Sequence, residues 1–132
     1  MTTQLELAKR FKLLHEREGL FVIPNPWDIG SAKILQSLGF EALATTSAGL
    51  AFSLGKPDQK GAVSIEETLA NGRSIVTAVS LPVSADLENG FGDDPETCAK
   101  TGGNASRRDL ARQLDAAGPH AVSRPHGDGP TS

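Results

Sequence analysis

Two carboxylates, Asp86 and Glu88, stand two residues apart at the end of a short apolar run, directly before Asn89 and Gly90. On an extended backbone, side chains two residues apart leave on the same side, so both carboxylates would face one cation or its bound waters. Such oxygen ligands, with room for water and a bidentate substrate, suit Mg²⁺ or Mn²⁺ better than zinc. The alternative for so short a pattern is a pair of solvated loop carboxylates.

A second set of polar groups lies earlier in the chain, in the run from Ser47 to Gly49. Consecutive backbone N–H groups and a hydroxyl can cradle a carboxylate or a phosphonate. The alternative is an ordinary turn of small residues. After the acidic pair, the glycines at 90 and 92 allow a close backbone approach, and Phe91 can wall off a pocket.

The fold must bring the acidic pair and the polar run from Ser47 to Gly49 together. The apolar pattern predicts an amphipathic helix over Leu5–Leu14, followed by strands that alternate with helices. Alternation of this kind implies a parallel sheet with right-handed crossovers, in which the strands deliver their carboxyl ends to one edge. The predicted strands are Leu20–Ile23, buried on both faces, Ala42–Thr46 and Pro82–Asp86. We therefore expect Trp27 and Asp28 to converge with the two polar sets.

Polar caps mark the starts of the predicted helices. Asp28 is the predicted cap of a helix from about Ile29 to Leu38, in which Ala32, Leu35 and Leu38 share a face. Ser64, with Glu67 three residues later, is the predicted cap of a helix that reaches about Val79. Asp94, directly before Pro95, is the predicted cap of a third helix. The stretch 47–62 lacks clean periodicity and is interpreted as a long, partly helical loop.

Composition narrows the function class. A net charge of -3 offers no basic surface for nucleic acid, and no segment has the apolar length of a signal core or a membrane span. We therefore expect a cytoplasmic protein that binds neither nucleic acid nor membrane. The only cysteine, Cys98, has no nearby base in the sequence, and we interpret it as a packed thiol rather than a nucleophile.

Residues 11 to 101 resemble the isocitrate lyase / phosphoenolpyruvate mutase superfamily. Four motifs carry the resemblance, in the order and spacing of that family. They are Pro24-Asn25-Pro26-Trp27-Asp28 with Ser31-Ala32; Leu38-Gly39-Phe40-Glu41-Ala42 leading to Thr45-Thr46-Ser47-Ala48-Gly49; Leu54-Gly55-Lys56-Pro57-Asp58; and the run from Pro82 to Gly92.

The resemblance implies a (β/α)8 TIM-type barrel and a Mg²⁺-dependent lyase or mutase. Such an enzyme makes or breaks a C–C or P–C bond of a small 2-oxo acid or 2-hydroxy carboxylate through an enolate, with the cation as Lewis acid. Carboxylate or phosphonate substrates and a homo-oligomeric assembly are implied as well. The implied roles are Asp86 and Glu88 for the metal, Ser47, Ala48, Gly49, Asn89 and Gly90 for the substrate, and Asp58 for catalysis on a gating loop.

The resemblance stops after Thr101, so we expect an incomplete barrel over 1–101 and a divergent tail over 102–132. The tail has no aromatic residue and no lysine. Its composition predicts a short helix from about Ser106 to Ala117 and a disordered end with solvated His120 and His126. Such a tail is typical of a frameshifted or truncated reading frame.

Three or four strands cannot close an eight-stranded barrel, so marginal stability and association or aggregation are expected of the isolated chain. A non-catalytic half-barrel that binds a partner, or an inert fragment, is the alternative to an enzyme. A plain phosphate-binding α/β domain is a weaker alternative because the sequence contains no P-loop or dinucleotide fingerprint.

Overall fold

The computed structural model describes residues 4–106, with the side chains of residues 5–102. Within this range, two strands stand where the second and third of the three predicted strands were expected, with helices before, between and after them. The elements are α1 (Gln4–Glu16), α2 (Ile29–Ser37), β1 (Leu43–Ala44), α3 (Ser47–Ser53), α4 (Ile65–Ala78), β2 (Val83–Ser84) and α5 (Pro95–Ser106). The predictions for the tail beyond Ser106, including His120 and His126, lie outside the described residues.

Three helices begin at the predicted caps. Ser64 Oγ accepts the N–H of Glu67 at 3.1 Å, and the Glu67 carboxylate accepts the Ser64 N–H at 2.8 Å, which starts α4. Asp28 and Ser31 form the same reciprocal arrangement at α2. Asp94 starts α5 by accepting the N–H of Thr97 at 2.8 Å. These bonds satisfy N–H groups that have no acceptor within their own helix.

The stretch 47–62, predicted as a long, partly helical loop, begins with the helix α3, in which Thr46 Oγ1 accepts the N–H of Gly49 at 3.1 Å. α5 continues past Thr101, where the divergent tail was expected to begin, to Ser106. A glycine weakens a helix by about 1 kcal/mol but still donates and accepts the helical hydrogen bonds.

β1 and β2 pair in parallel, with Leu43 opposite Val83 and Ala44 opposite Ser84. The ladder includes the N–H of Leu43 donating to the carbonyl of Pro82 and the N–H of Thr45 donating to that of Ser84, both at 2.9 Å. Both strands are shorter than predicted. Beyond Ser84 the backbone bonds to side chains instead of to the neighbouring strand.

The predicted first strand, Leu20–Ile23, is wrong in two respects. The segment is not a regular strand, and Leu20 and Val22 are 101% and 66% exposed instead of buried on both faces. It does run beside β1, where the N–H of Ala44 donates to the carbonyl of Pro24 at 3.1 Å. Pro24 and Pro26 lack the N–H groups that a full ladder would use, and within the described residues nothing covers the outer face.

The core lies between the strand pair and the helices α2 and α4. Ala32, Leu43 and Ile75 are fully buried there, and Leu35 packs against them. Leu38, expected on the same face of α2, is the C-cap of that helix and is 69% exposed. A second cluster joins α1 to the segment before β1 and consists of Phe11, Leu14 and Ala42 with Phe21 and Ile23. The fold class is therefore α/β with parallel pairing.

None of the helices over residues 4–106 combines the length and the apolar composition needed to cross a bilayer.

Replacing Ser64 by alanine is expected to lower the free energy of unfolding by about 1 kcal/mol, because α4 loses the acceptor for the N–H of Glu67. Urea unfolding followed by circular dichroism measures the change. Ser64→Thr keeps the hydroxyl and serves as the control, so it should lose less. Equal stability of the alanine variant and the wild type would show that the capping box contributes nothing.

Candidate functional site

Asp86 lies two residues beyond β2, and both of its carboxylate oxygens are hydrogen-bonded. Oδ2 accepts the N–H of Ser47 and Oδ1 accepts the N–H of Glu88, each at 3.0 Å. Ser47 is the first residue of α3, so one donor comes from the exit of the neighbouring strand. Hydrogen bonds to an ionised carboxylate are among the stronger ones in proteins. The two bonds hold the Asp86 carboxylate between two adjacent strand ends.

The backbone of Asp86, like its carboxylate, is hydrogen-bonded to a residue at the end of β1. Its N–H donates to Thr45 Oγ1 at 2.8 Å, and Thr45 itself is buried. Neither Thr45 nor the α3 cap Thr46 is among the predicted site residues. The signal that identifies them is a pair of hydroxyl residues between a strand and a helix, where side-chain acceptors for backbone N–H groups are favoured.

The predicted anion cradle at Ser47, Ala48 and Gly49 is the first turn of α3. Two of its three N–H groups are engaged, since that of Ser47 donates to Asp86 and that of Gly49 donates to Thr46. The Ala48 N–H has no acceptor within residues 4–106. Without a Cβ, Gly49 also permits a close approach, because an added Cβ would stand 3.2 Å from the Cβ of Trp27.

Glu88 lies in a field of like charge. Partial burial and the neighbouring carboxylates of Asp86 and Asp58 raise the pKa of Glu88 above its ordinary value. Asp58 therefore stands near enough to act on Glu88, although the two residues are thirty positions apart in the chain. Asp86 and Asp58 thus both influence the charge state of Glu88.

The raised pKa of Glu88 means that the folded chain holds this proton more tightly than the unfolded chain. Stability without added cation should therefore fall as pH rises from 4.5, the ordinary value for glutamate, through the raised pKa, and stay lower above it. Glu88→Gln removes this dependence, so we expect E88Q to be more stable than the wild type at neutral pH. Thermal unfolding as a function of pH measures the difference.

Glu18→Gln, at an exposed carboxylate, is the matched control for that comparison and should unfold like the wild type at each pH. Nuclear magnetic resonance follows the Glu88 carboxyl directly. Titration of that carboxyl at or below 4.5 would contradict the raised pKa expected from its burial and from the neighbouring carboxylates.

Asp58 is exposed on the segment between α3 and α4. Lys56, two residues before it, donates from Nζ to both carboxylate oxygens of Glu67, at 2.6 and 2.8 Å. Since Glu67 also belongs to the capping box of α4, one end of the segment is tethered to that helix. Asp58 therefore lies on an exposed loop, and the ion pair between Lys56 and Glu67 attaches one end of that loop to α4.

The loop from Glu88 to Gly92 wraps against the first turns of α5. Glu88 and Phe91 have φ angles of 50° and 59°, which are uncommon for residues with side chains. Gly90, at φ 81°, donates its N–H to Leu87, and an added Cβ there would stand 2.8 Å from the sulfur of Cys98. The Gly90 N–H is therefore already used inside the loop, and glycine is required at this position.

Asn89 and Cys98 close the same loop. Asn89 Oδ1 accepts the N–H of Phe91 at 3.1 Å, and the Cys98 thiol donates to the Asn89 carbonyl at 3.2 Å. Cys98 is half-buried, so the packed thiol expected from the sequence is what the structure contains. The roles of Asn89 and Gly90 in binding substrate stay predictions.

Trp27 and Asp28, expected at the same edge, have mainly structural contacts. The Asp28 carboxylate accepts the N–H of Ser31 at 2.7 Å and is occupied as the cap of α2. The Trp27 carbonyl accepts from Asn71 Nδ2 at 2.8 Å, which ties this segment to α4. Trp27 also lies beside the first turn of α3, next to Gly49.

The donor set at the acidic region fits a hard cation. Its ligand atoms are carboxylate oxygens, and a cation would offset both the burial and the neighbouring carboxylates that raise the pKa of Glu88. Among residues 4–106, no three acidic, histidine or cysteine side chains are placed so that they alone could hold a metal. Asp86 and Glu88 would therefore share such a cation with water or substrate oxygens, which is common for Mg²⁺.

Comparison with known proteins gives a consistent assignment. A family model described as phosphoenolpyruvate phosphomutase matches residues 11–111. The 2-methylisocitrate lyase of Halalkalibacterium halodurans is 36% identical over 90 residues, which cover 68% of this chain and 30% of that enzyme. An uncharacterised protein of Mycobacterium tuberculosis is 35% identical over 113 residues, or 82% of this chain and 38% of that protein.

Solved structures agree with the sequence matches. A candidate lyase/mutase from Burkholderia cenocepacia J2315 superposes with a TM-score of 0.71 at 56% identity, covering 74% of this chain and 35% of that one. A 2,3-dimethylmalate lyase gives a TM-score of 0.69 at 33% identity, with 84% and 39% covered. The chain thus spans less than two fifths of the length of each of these relatives.

Proposed function

The chain belongs to the phosphoenolpyruvate mutase / isocitrate lyase superfamily, and from that premise we propose that it carries the cation half-site of a Mg²⁺- or Mn²⁺-dependent lyase or mutase. The reaction would make or break a C–C or P–C bond of a small 2-oxo acid or 2-hydroxy carboxylate. Relatives named 2-methylisocitrate lyase, 2,3-dimethylmalate lyase and carboxyvinyl-carboxyphosphonate phosphorylmutase set this chemical range.

One observation carries the proposal. The Asp86 carboxylate is oriented by the N–H groups of Ser47 and Glu88, while the carboxylates of Asp86 and Asp58 both act on Glu88, which is partly buried. Among the described residues, Asp58, Asp86 and Glu88 form no ion pair with a lysine or an arginine. Like charges near one another disfavour ionisation, so the arrangement favours a bound cation. A bound Mg²⁺ would supply Lewis-acid stabilisation of negative charge that develops on the substrate.

The remaining groups supply binding and orientation. The Ala48 N–H, which no described residue uses, and the Ser47 hydroxyl would receive the carboxylate of the substrate. Ser47 would have a double role, since its N–H orients Asp86 while its hydroxyl would contact the ligand. Groups that are already in place need no reorganisation when charge develops.

The Asp58 segment would close over the bound substrate. It is exposed, and its base is held by the ion pair between Lys56 and Glu67. Closure would exclude water from an enolate, which would otherwise take up a proton from the solvent. Asp58 would then contact the substrate and serve as the catalytic residue.

An assay of the chain with Mg²⁺ tests this function. Oxaloacetate, 2-methylisocitrate, 2,3-dimethylmalate and phosphonopyruvate are incubated separately, and products are followed by proton and phosphorus magnetic resonance. We expect turnover of one substrate class, lost on chelation of the cation and restored by added Mg²⁺ or Mn²⁺. No turnover of any of the four, by a chain shown to be folded, would refute the enzymatic proposal.

A non-catalytic binding module is the second candidate, and the exposed apolar side chains favour it. Leu20 is 101% and Val22 is 66% exposed beside β1, and Phe52 on α3 is 64% exposed. Apolar surface of this extent beside a strand commonly pairs with another chain. Under this alternative the chain would associate through that surface and turn over none of the four substrates. A homo-oligomeric assembly and a cytoplasmic location stay proposals.

A further inference from the structure

Thr45 stands where the sheet ends and the acidic region begins. Its N–H makes a ladder bond to the carbonyl of Ser84, while its Oγ1 accepts the N–H of Asp86 at 2.8 Å. The residue is only 8% exposed. Thr45 therefore bonds the residues on either side of Ala85, Ser84 with its backbone and Asp86 with its side chain.

The side-chain bond replaces a missing ladder bond. β2 ends at Ser84, and the chain turns away from β1 to reach the loop that carries Glu88. A backbone N–H in such a half-buried place needs an acceptor, because an unpaired buried donor is costly. The hydroxyl of Thr45 reaches across to the Asp86 N–H at the point where the strands diverge.

The exit of β1 thus holds Asp86 at two points. Thr45 fixes the backbone of Asp86, and the N–H of Ser47, two residues later, fixes its carboxylate at 3.0 Å. With both points fixed, the side chain cannot rotate away from Glu88 without breaking a hydrogen bond. Partners that orient a ligand in this way change metal affinity although they never touch the metal.

We propose that Thr45 is a positioning residue for the cation site, an inference that rests on the proposed function of Asp86 and Glu88. Its hydroxyl, rather than its volume, is the active feature. Valine has the same shape without the acceptor, and serine keeps the acceptor without the methyl group. The two variants therefore separate hydrogen bonding from packing.

Titration calorimetry of Mg²⁺ into the whole chain tests the inference. We expect Thr45→Val to raise the Kd for Mg²⁺ about tenfold and Thr45→Ser to stay close to the wild type. Thr68→Val is the matched control, because Thr68 is equally buried and its hydroxyl has no partner among the described residues. The Thr68 variant should bind Mg²⁺ like the wild type.

The outcomes distinguish this inference from the function beneath it. If the wild type binds Mg²⁺ and Thr45→Val binds it equally well, the positioning role is refuted while the cation site stands. If the wild type binds no Mg²⁺, the cation site itself is refuted and the inference with it. Weaker binding by Thr45→Ser equal to that of Thr45→Val would show that packing is responsible, which also overturns the role of the hydroxyl.

Hydrogen exchange gives a second measurement that does not depend on the folding of the valine variant. In the wild type, the N–H of Asp86 should exchange slowly because it is bonded to Thr45. It should stay protected in Thr45→Ser. Rapid exchange at Asp86 in the wild type, within a chain whose β1–β2 ladder is protected, would overturn the proposed contact.

Discussion

Asp86→Asn is expected to remove Mg²⁺ binding and to lower kcat/KM for any substrate by more than about 100-fold, because a charged ligand contributes several kcal/mol of electrostatic stabilisation. The carboxylate of Asp86 accepts one N–H on each oxygen, from Ser47 and from Glu88. An amide has one acceptor oxygen, so one of these donors would meet an NH₂ group instead. The substitution removes both the charge and the orientation.

Calorimetric titration with Mg²⁺ and the turnover assay measure the two effects of Asp86→Asn. Asp93→Asn is the matched control, because Asp93 follows the same loop, its side chain is 92% exposed, and its one ion pair within residues 5–102 is a long one, 3.8 Å from Lys60. The control should bind Mg²⁺ and turn over substrate as the wild type does. Undiminished Mg²⁺ affinity in Asp86→Asn would place the cation elsewhere.

Ser47→Pro is expected to have a comparably large effect through the backbone. Ser47 is the first residue of α3, a position where proline is favoured, and Thr46 before it is extended, as the residue before a proline prefers to be. The helix should therefore form. Proline has no N–H, and its ring would occupy the space between the nitrogen of residue 47 and Oδ2 of Asp86, which are 3.0 Å apart.

The Asp86 carboxylate must move in Ser47→Pro, so we expect Mg²⁺ binding to weaken by at least about tenfold, with the helical circular dichroism retained. Ser47→Ala is the control for the lost hydroxyl. It keeps the N–H, so it should bind Mg²⁺ normally and raise KM alone if the hydroxyl contacts substrate. Equal Mg²⁺ affinity in all three proteins would show that the N–H of Ser47 does not orient Asp86.

The sequence predicted the helix starts well because each depends on a local pattern. Ser64 and Glu67 stand three residues apart, and their reciprocal bonds need no distant residue. The acidic pair is local in the same sense. The position of the acidic pair after a strand followed from the expected alternation of strands and helices. The placement of Asp58 near Glu88 was implied by the family resemblance alone.

The errors concern tertiary surroundings. Leu20 and Val22 form an apolar run that is typical of a buried strand, yet burial depends on what covers the run, and no described residue covers its outer face. The role of Thr45 was missed for a related reason. Its hydroxyl bonds a residue forty-one positions later, and no local pattern gives that distance. The left-handed conformations of Glu88 and Phe91 were likewise not predicted, since nothing in their side chains requires them.

Asp86 is held by groups from two successive strand exits, and this has a thermodynamic consequence for folding. A cation bound at Asp86 would stabilise only those conformations in which the ends of β1 and β2 are both in their native positions. It would not stabilise conformations in which either strand end has unfolded. Residues from Leu43 to Glu88 would then open as one cooperative unit, although their hydrogen bonds are spread over several elements. The ion would act as a cross-link between neighbouring units of the fold.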